Sequence, residues 1–238
     1  MTDNSETIRS RQNALLKRVR AVANGKERGT LLLEGERLVL DAVGAGVPLE
    51  VALVAEGRAV PAALERQPVR RVERDLLQGL GSLRTEPDLV ALAAPPAAVD
   101  LASLEPGTNG LLLVVDGVAD PGNLGALARA AEAAGACGMV VLLGGVGPWN
   151  PRALRGSMGS LLRLPVVRGL GAAEALEALT SQGWRSVTAA TRGGRSWREA
   201  DWSGPVALWI SGETGLEPER SEEHTSELQS RQYLVCRL

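Results

Sequence analysis

Short apolar runs alternate with amphipathic stretches along most of the chain, the pattern of strands and helices taken in turn. Over the first hundred residues the runs at 30–33, 51–54 and 88–94 read as strands, with helices starting at Glu36 and around Ala62. The alternation returns more strongly at 111–115, 139–143, 187–190 and 206–210, where the runs are nearly continuous in Val, Leu, Ile, Met and Ala. Strands buried on both faces of a parallel sheet carry that signature, whereas half-exposed strands alternate. Segments 124–134 and 172–179 read as the connecting helices, and their many alanines are explained by helix propensity and close packing. Between the two halves, residues 94–110 hold Pro95, Pro96 and Pro106 among Ala and Gly without periodicity, the composition of a linker. The expected fold class is α/β: a first α/β domain over residues 8–94, a linker over 95–109, and a parallel-sheet domain over 110–219.

The alternation stops after Glu219. Residues 220–238, RSEEHTSELQSRQYLVCRL, contain the chain's one histidine, its one tyrosine and one of its two cysteines. The words RSEEHTSELQS resemble one reading frame of a sequencing-library adapter, so this tail is expected to be non-native and to stand where a natural C-terminus is missing.

A chain of 238 residues that is 45% hydrophobic can bury one sizeable core or two modest ones. Residues 1–30 are polar and basic, unlike a secretory leader, and no segment nears the roughly 20 apolar residues of a membrane span. A cytoplasmic protein is expected. Cys137 and Cys236 stand far apart and His224 is alone, so neither a disulfide framework nor a metal site is expected. The formal net charge of −2 argues against wholesale capture of nucleic acid. Locally the balance reverses: Arg9, Arg11, Lys17, Arg18, Arg20, Lys26 and Arg28 face one acid, Glu27. That stretch reads either as a phosphate-holding surface or as the solvated face of a helix.

Three segments could carry chemistry. The first follows the 111–115 strand and runs Asp116-Gly-Val-Ala-Asp120-Pro-Gly-Asn123-Leu-Gly125-Ala-Leu-Ala-Arg129. Pro121 and Gly122 force a turn, Asn123 can cap the next helix, and Gly125 lets backbone approach a ligand. The segment is either a well-made strand-to-helix turn or a site, since ligands of open α/β sheets bind at the carboxyl ends of strands. With Arg129 on the first two turns of the helix, the macrodipole disfavours its charge, and phosphate binding would supply a reason for it. A dinucleotide fingerprint is absent: there is no GxGxxG, and the GGVG at 144–147 lacks a following helix, which weakens a nucleotide-dependent oxidoreductase reading. The second segment runs from Asn150-Pro-Arg152 through Arg155, Ser157, Gly159 and Arg163 to Pro165, its arginines without a nearby acid. The third, Ser211-Gly212-Glu213-Thr-Gly215, follows the 206–210 strand, and its backbone groups are free to bind a cofactor.

Taken in order, DPGNLGxxxR, NPxxxRxSxGxLxRLPV and a strand followed by GE and GL resemble the three motifs of SpoU/TrmH-type RNA ribose 2′-O-methyltransferases, of the SPOUT superfamily. The stretch SRQNALLKRVR with LLLEGERLVLDAVGAG resembles the L30e-like RNA substrate-binding domain that many members carry. The resemblance spans nearly all of residues 10–219. It implies a trefoil-knotted sheet domain, S-adenosylmethionine as cofactor, a structured RNA as substrate, ribosomal RNA first and transfer RNA as the alternative, and a homodimer. By the same resemblance Asn123, Arg129, Ser157 and Glu213 form the catalytic set, Ala190, Thr191, Ser211 and Gly212 contact the cofactor, and Arg11, Asn13, Lys17, Arg20, Lys26, Arg28, Arg152 and Arg155 hold RNA. Arg129 fits an electrostatic anchor better than a base, because a guanidinium deprotonates only above a pKa of about 12. Two departures stand out: the third motif is one residue short between glutamate and glycine, and the strand with IPM and the SLNVSVA-like segment are absent. The 238-residue chain is therefore expected to bind the cofactor weakly or not at all. A non-catalytic RNA-binding relative is the rival from another class.

Overall fold

The computed structural model of the chain describes residues 7–80, 87–108, 110–190, 195–212 and 232–235. In chain order the elements are α1 (Ala14–Ala23), β1 (Leu31–Glu34), α2 (Glu36–Gly44), β2 (Leu49–Ala55), β3 (Val69–Val72), α3 (Arg74–Gln78), β4 (Leu89–Ala93), β5 (Leu111–Asp116), α4 (Pro121–Ala133), β6 (Gly138–Val141), α5 (Pro151–Gly156), α6 (Ser160–Arg163), β7 (Val166–Arg168), α7 (Ala172–Ser181), β8 (Arg185–Ala190), β9 (Arg195–Ser196), β10 (Val206–Ser211) and β11 (Gln232–Val235). They fall into two units, residues 1–97 with 149–163, and residues 98–148 with 164–238. The second motif segment thus groups with the first unit, although the sequence alone reads it as part of the second domain.

In the first unit a four-stranded sheet has the order β1-β4-β2-β3, with β4 antiparallel to both neighbours and β2 parallel to β3. The spacing of Leu16, Val19 and Val22 puts all three on one stripe of α1, buried against Leu32, Leu53, Val72 and Leu92. Asn13 starts this helix: its side-chain oxygen accepts from the Leu15 amide at 2.9 Å. The helix expected around Ala62 is one 3₁₀ turn over Ala62–Leu64. Strand β3 escapes the apolar-run reading because its sequence is VRRV and it is the last strand at the sheet edge, its outer side met by the single bridge from Ile8 to Val72.

Local rules explain much of the second motif. Asn150 caps α5 by accepting from the Arg152 amide, and Pro151 occupies the first turn, where a missing N–H costs nothing. The stop comes at Met158 and Gly159, both in the left-handed region with φ of 49° and 85°. A side chain on Gly159 would also press on Cβ of Asp41, at 2.9 Å. Arg155 and Arg163, which lack acids nearby in sequence, find them across the fold. Arg155 donates to Glu34 on β1 at 2.6 Å and Arg163 lies 4.0 Å from Asp41 on α2. The Glu34 side chain is only 1% exposed, so losing its cation is costly. Arg155→Ala is expected to lower stability by about 2 to 3 kcal/mol, read as a shift of the urea midpoint at constant m-value. A loss under about 0.5 kcal/mol, as for a surface pair, would contradict this.

The second unit carries a seven-stranded sheet of order β7-β6-β5-β10-β8-β11-β9 in which every pairing is parallel. Helix α7 buries Ala175, Leu176 and Leu179 with Leu112, Val114, Val140, Ala207 and Trp209. The alternate positions Leu113, Val115, Met139 and Val141 are buried too, and α4 packs against β5 and β6. Both faces are therefore covered, as the continuous apolar runs require. Leu101 and Leu104, read from sequence as linker, are buried in this core. Of residues 220–238 only β11 is described; it lies between β8 and β9. Residues 213–231, through which the expected knot would pass, lie outside the described residues.

Candidate functional site

Three strands of the second unit end at one place. The register of β10 on β5 sets Ser211 opposite Asp116, and the Gly212 amide donates to the Asp116 carbonyl at 2.8 Å. Gly212 then passes so close to the Gly117 carbonyl that a Cβ there would overlap it. From the other side the loop after β6 arrives: the Val146 amide donates to the Val118 carbonyl at 2.8 Å, and a Cβ on Gly145 would stand 2.9 Å from that same oxygen. Gly117 makes the bend possible with φ of 62°, a conformation costly to residues with a Cβ. The register of β8 on β10, Thr188 opposite Trp209, continues to place Ala190 level with Ser211, one strand spacing of about 4.8 Å away. Of the four expected cofactor contacts, Ala190, Ser211 and Gly212 are thus brought to one rim. Thr191 lies outside the described residues, as does Glu213.

Polar groups at this rim are left over. The Ser211 hydroxyl is buried without a hydrogen-bond partner among the described residues, as is that of Thr188, two residues before Ala190 on β8; Ser186, likewise without one among them, sits near the start of β8 opposite Ala207, away from the rim. Buried hydroxyls are usually paired, and an orphan at the end of a strand marks a place where a ligand can supply the partner. Sequence reasoning missed Thr188; a hydroxyl residue inside an otherwise apolar run was the available signal. It also missed Gly117 as the hub. Among the described residues no cluster of His, Cys, Asp or Glu could hold a metal ion. Burial pushes the Cys137 thiol pKa up, which disfavours its thiolate.

Helix α4 begins at this rim, and its geometry corrects two expectations. Asp120, not Asn123, is the cap: its carboxylate accepts from the Asn123 amide at 2.9 Å, with Pro121 at the first position. Asn123 is the third helical residue and its side chain is exposed. Arg129 is the ninth helical residue, in the third turn, so the dipole at the N-terminus does not set its energy. Six residues separate the two by about 9 Å along the axis and about 120° around it, so they share the helix but not a face. Arg129 is exposed and makes no ion pair or hydrogen bond among the described residues.

The remaining expected residues belong to the first unit. Ser157 is fully buried, and its hydroxyl donates to the Leu154 carbonyl at 2.7 Å and accepts from the Leu161 amide at 3.4 Å. It joins α5 to α6. Arg11, Lys17 and Arg20 line a cleft of about 540 Å³ with Asp75 and Gly79, and Arg20 donates to the Arg11 carbonyl at 3.1 Å. Asn13 is spent on capping α1, as shown above. Lys26 and Arg28 are exposed beyond the helix end and do not line the cleft. Arg152 is exposed on α5, whereas Arg155 is held by Glu34. The run of seven cations is also less positive than its sequence. Arg9 pairs with Glu56 at 2.6 Å, and Arg18 binds Glu50 at 2.5 Å and Glu27 at 2.7 Å, which raises its already high pKa further.

Comparison with known proteins agrees with this architecture. The sequence model of the SpoU rRNA Methylase family matches residues 110–229. The chain is 28% identical over 210 residues to the 23S rRNA (guanosine(2553)-2′-O)-methyltransferase RlmP of Bacillus subtilis, covering 87% of this chain and 82% of that protein. It is 30% identical over 166 residues to the mitochondrial rRNA methyltransferase 3 of Xenopus laevis, of whose length it spans about 40%. Its fold superposes on the SpoU methyltransferase AviRb from Streptomyces viridochromogenes, solved in complex with the cofactor AdoMet. The TM-score is 0.80 at 25% identity, over 95% of this chain and 89% of that one.

Proposed function

Because the chain belongs to the SpoU rRNA Methylase family, we propose that it transfers a methyl group from S-adenosylmethionine to a ribose 2′-hydroxyl of a structured RNA, ribosomal RNA first. The observation that supports this best is the rim where Gly117, Val118, Gly145, Val146 and Gly212 meet beside the Ser211 hydroxyl, which has no partner among the described residues. The glycines let backbone come within contact of a ligand, and Ala190, Ser211 and Gly212 would hold the cofactor at the carboxyl ends of β8 and β10. When bound, the cofactor supplies a methyl group already activated on a sulfonium. The chain's own work is then to align the ribose oxygen for displacement and stabilise the charge that develops on it. Arg129, exposed and unengaged among the described residues, is the group for that charge, with Asn123 six residues earlier on the same helix to orient the ribose. Thr191 and Glu213 complete the proposed site, and a cytoplasmic homodimer the proposed assembly. Ser157, sealed in the first unit, acts through the fold of its segment.

RNA is held first by the cleft of Arg11, Lys17 and Arg20. Alanine at any one of the three is expected to weaken RNA binding across sequences and to reduce the slope of log affinity against log salt by about 1. An unchanged slope for all three would remove the cleft from the interface. A non-catalytic RNA binder is separated by tritiated methyl transfer, because it retains RNA without labelling it. Transfer RNA in place of ribosomal RNA is separated by the same assay with each as acceptor. The non-native reading of residues 220–238 is tested by sequencing the gene beyond codon 219, and cofactor binding and methyl transfer are measured on this chain and on the gene product.

A further inference from the structure

Two of the chain's five tryptophans stand at the surface: Trp197 is 46% exposed and Trp202 is 40% exposed. In a chain with no phenylalanine and one tyrosine, this is a large outlay of aromatic surface to leave in water. The two indoles are held in place. Trp202 Nε1 donates to the Trp197 carbonyl at 2.9 Å, and the Arg198 guanidinium lies 5.1 Å from the centre of the Trp197 ring. The far end of the segment is tied as well, because Arg185 donates to the carbonyls of Asp201 and Ser203 at 2.6 and 2.9 Å. The one acid beside Trp202 is occupied: Ser203 donates its hydroxyl and amide to the Asp201 carboxylate, holding its pKa below the usual range.

We propose that Trp197, Trp202 and Arg198 form a stacking platform for an unpaired nucleobase of the RNA, within a few nucleotides of the methylated one. The inference rests on the RNA methyltransferase reading above and specifies where that substrate is gripped. Charge selects the occupant. Asp201 is engaged by Ser203 and lies 3.9 Å from Arg185, so the charge standing on the indoles is that of Arg198, and an arginine layered on an indole suits a base with its phosphate better than an apolar protein surface. Position fits too: Trp197 follows Ala190 by seven residues, which bounds its distance from the rim at about 25 Å even for an extended chain. Because hydrogen bonds already tie Trp202 to Trp197 and Arg185 to Asp201 and Ser203, the base meets a preformed surface and little ordering cost remains.

The test uses the full 238-residue chain, a single-stranded oligoadenylate of about twelve nucleotides and a blunt RNA duplex of the same length. The single strand is expected to quench indole emission. The double change Trp197→Ala and Trp202→Ala is expected to weaken its affinity by at least about tenfold at fixed salt, with the salt slope unchanged. Phenylalanine at both positions restores most of the affinity, and the duplex is indifferent to all these changes. Equal single-strand affinity in the double alanine variant overturns the proposal, as does an equal loss for the duplex. So does a change of sedimentation state with RNA affinity intact, which would make the patch a protein contact. An intact chain that binds neither RNA overturns the methyltransferase reading along with this one. An intact chain that binds RNA as tightly as its alanine variant overturns this one alone.

Discussion

Gly212→Ala is expected to abolish measurable S-adenosylmethionine binding in a chain that otherwise binds it. The added carbon would overlap the Gly117 carbonyl and stand 3.2 Å from Cα of Val118. Both neighbours are backbone, so no side-chain rotation relieves the overlap. The end of β10 must separate from the β5 loop, which breaks the Gly212 to Asp116 hydrogen bond and moves the Ser211 hydroxyl off the rim. Overpacking of this kind costs about 1 to 3 kcal/mol of stability, and a shift near 1 Å at a positioned site costs on the order of 100-fold in function. Gly147→Ala is the control: nothing lies within 4 Å of its Cβ, so both stability and binding stay as they were. Calorimetric titration of the two variants separates the effects. Unchanged affinity in Gly212→Ala would place the cofactor elsewhere.

Arg129→Ala has the opposite signature. The side chain is exposed and unengaged among the described residues, so stability moves by no more than about 0.5 kcal/mol. The rate of methyl transfer falls by about 100- to 1,000-fold, with lysine recovering part of it, because a point charge replaces a forked donor. Ser157→Ala differs on both counts. The buried hydroxyl is satisfied by the Leu154 carbonyl, so its removal costs about 1 kcal/mol of stability and leaves the chemical step nearly intact. Rates and melting curves on the same preparations tell the two classes apart. An Arg129 variant with full activity would contradict its assignment to the developing charge.

Much of this arrangement was legible in the sequence, for identifiable reasons. Strands β5 and β6 are buried on both faces, so their continuous apolar runs could belong to little else. The glycine-bearing segments after β5 and β10 were found because backbone contact demands glycine. What escaped depended on long-range pairing. Arg155 looks like a free cation until the fold brings Glu34, 121 residues away in sequence, against it. Strand β3 hides behind two arginines at a sheet edge, where solvent tolerates them. The cap of α4 could have been read correctly: a proline prefers the first helical turn, which points to Asp120 before Pro121 and leaves Asn123 inside the helix. Nor did composition reveal that Trp197 and Trp202, rather than Trp184 and Trp209, are the tryptophans left at the surface.

The measurement that bears most directly on the rim at Gly117 is methyl transfer from tritiated S-adenosylmethionine to ribosomal RNA, followed by alkaline digestion of the product. Label recovered in alkali-resistant dinucleotides, and lost with Arg129→Ala or Gly212→Ala, is the predicted result, because a methylated 2′-oxygen cannot assist cleavage of its own phosphodiester. Label recovered in single nucleotides, or transfer indifferent to both substitutions, would contradict the account.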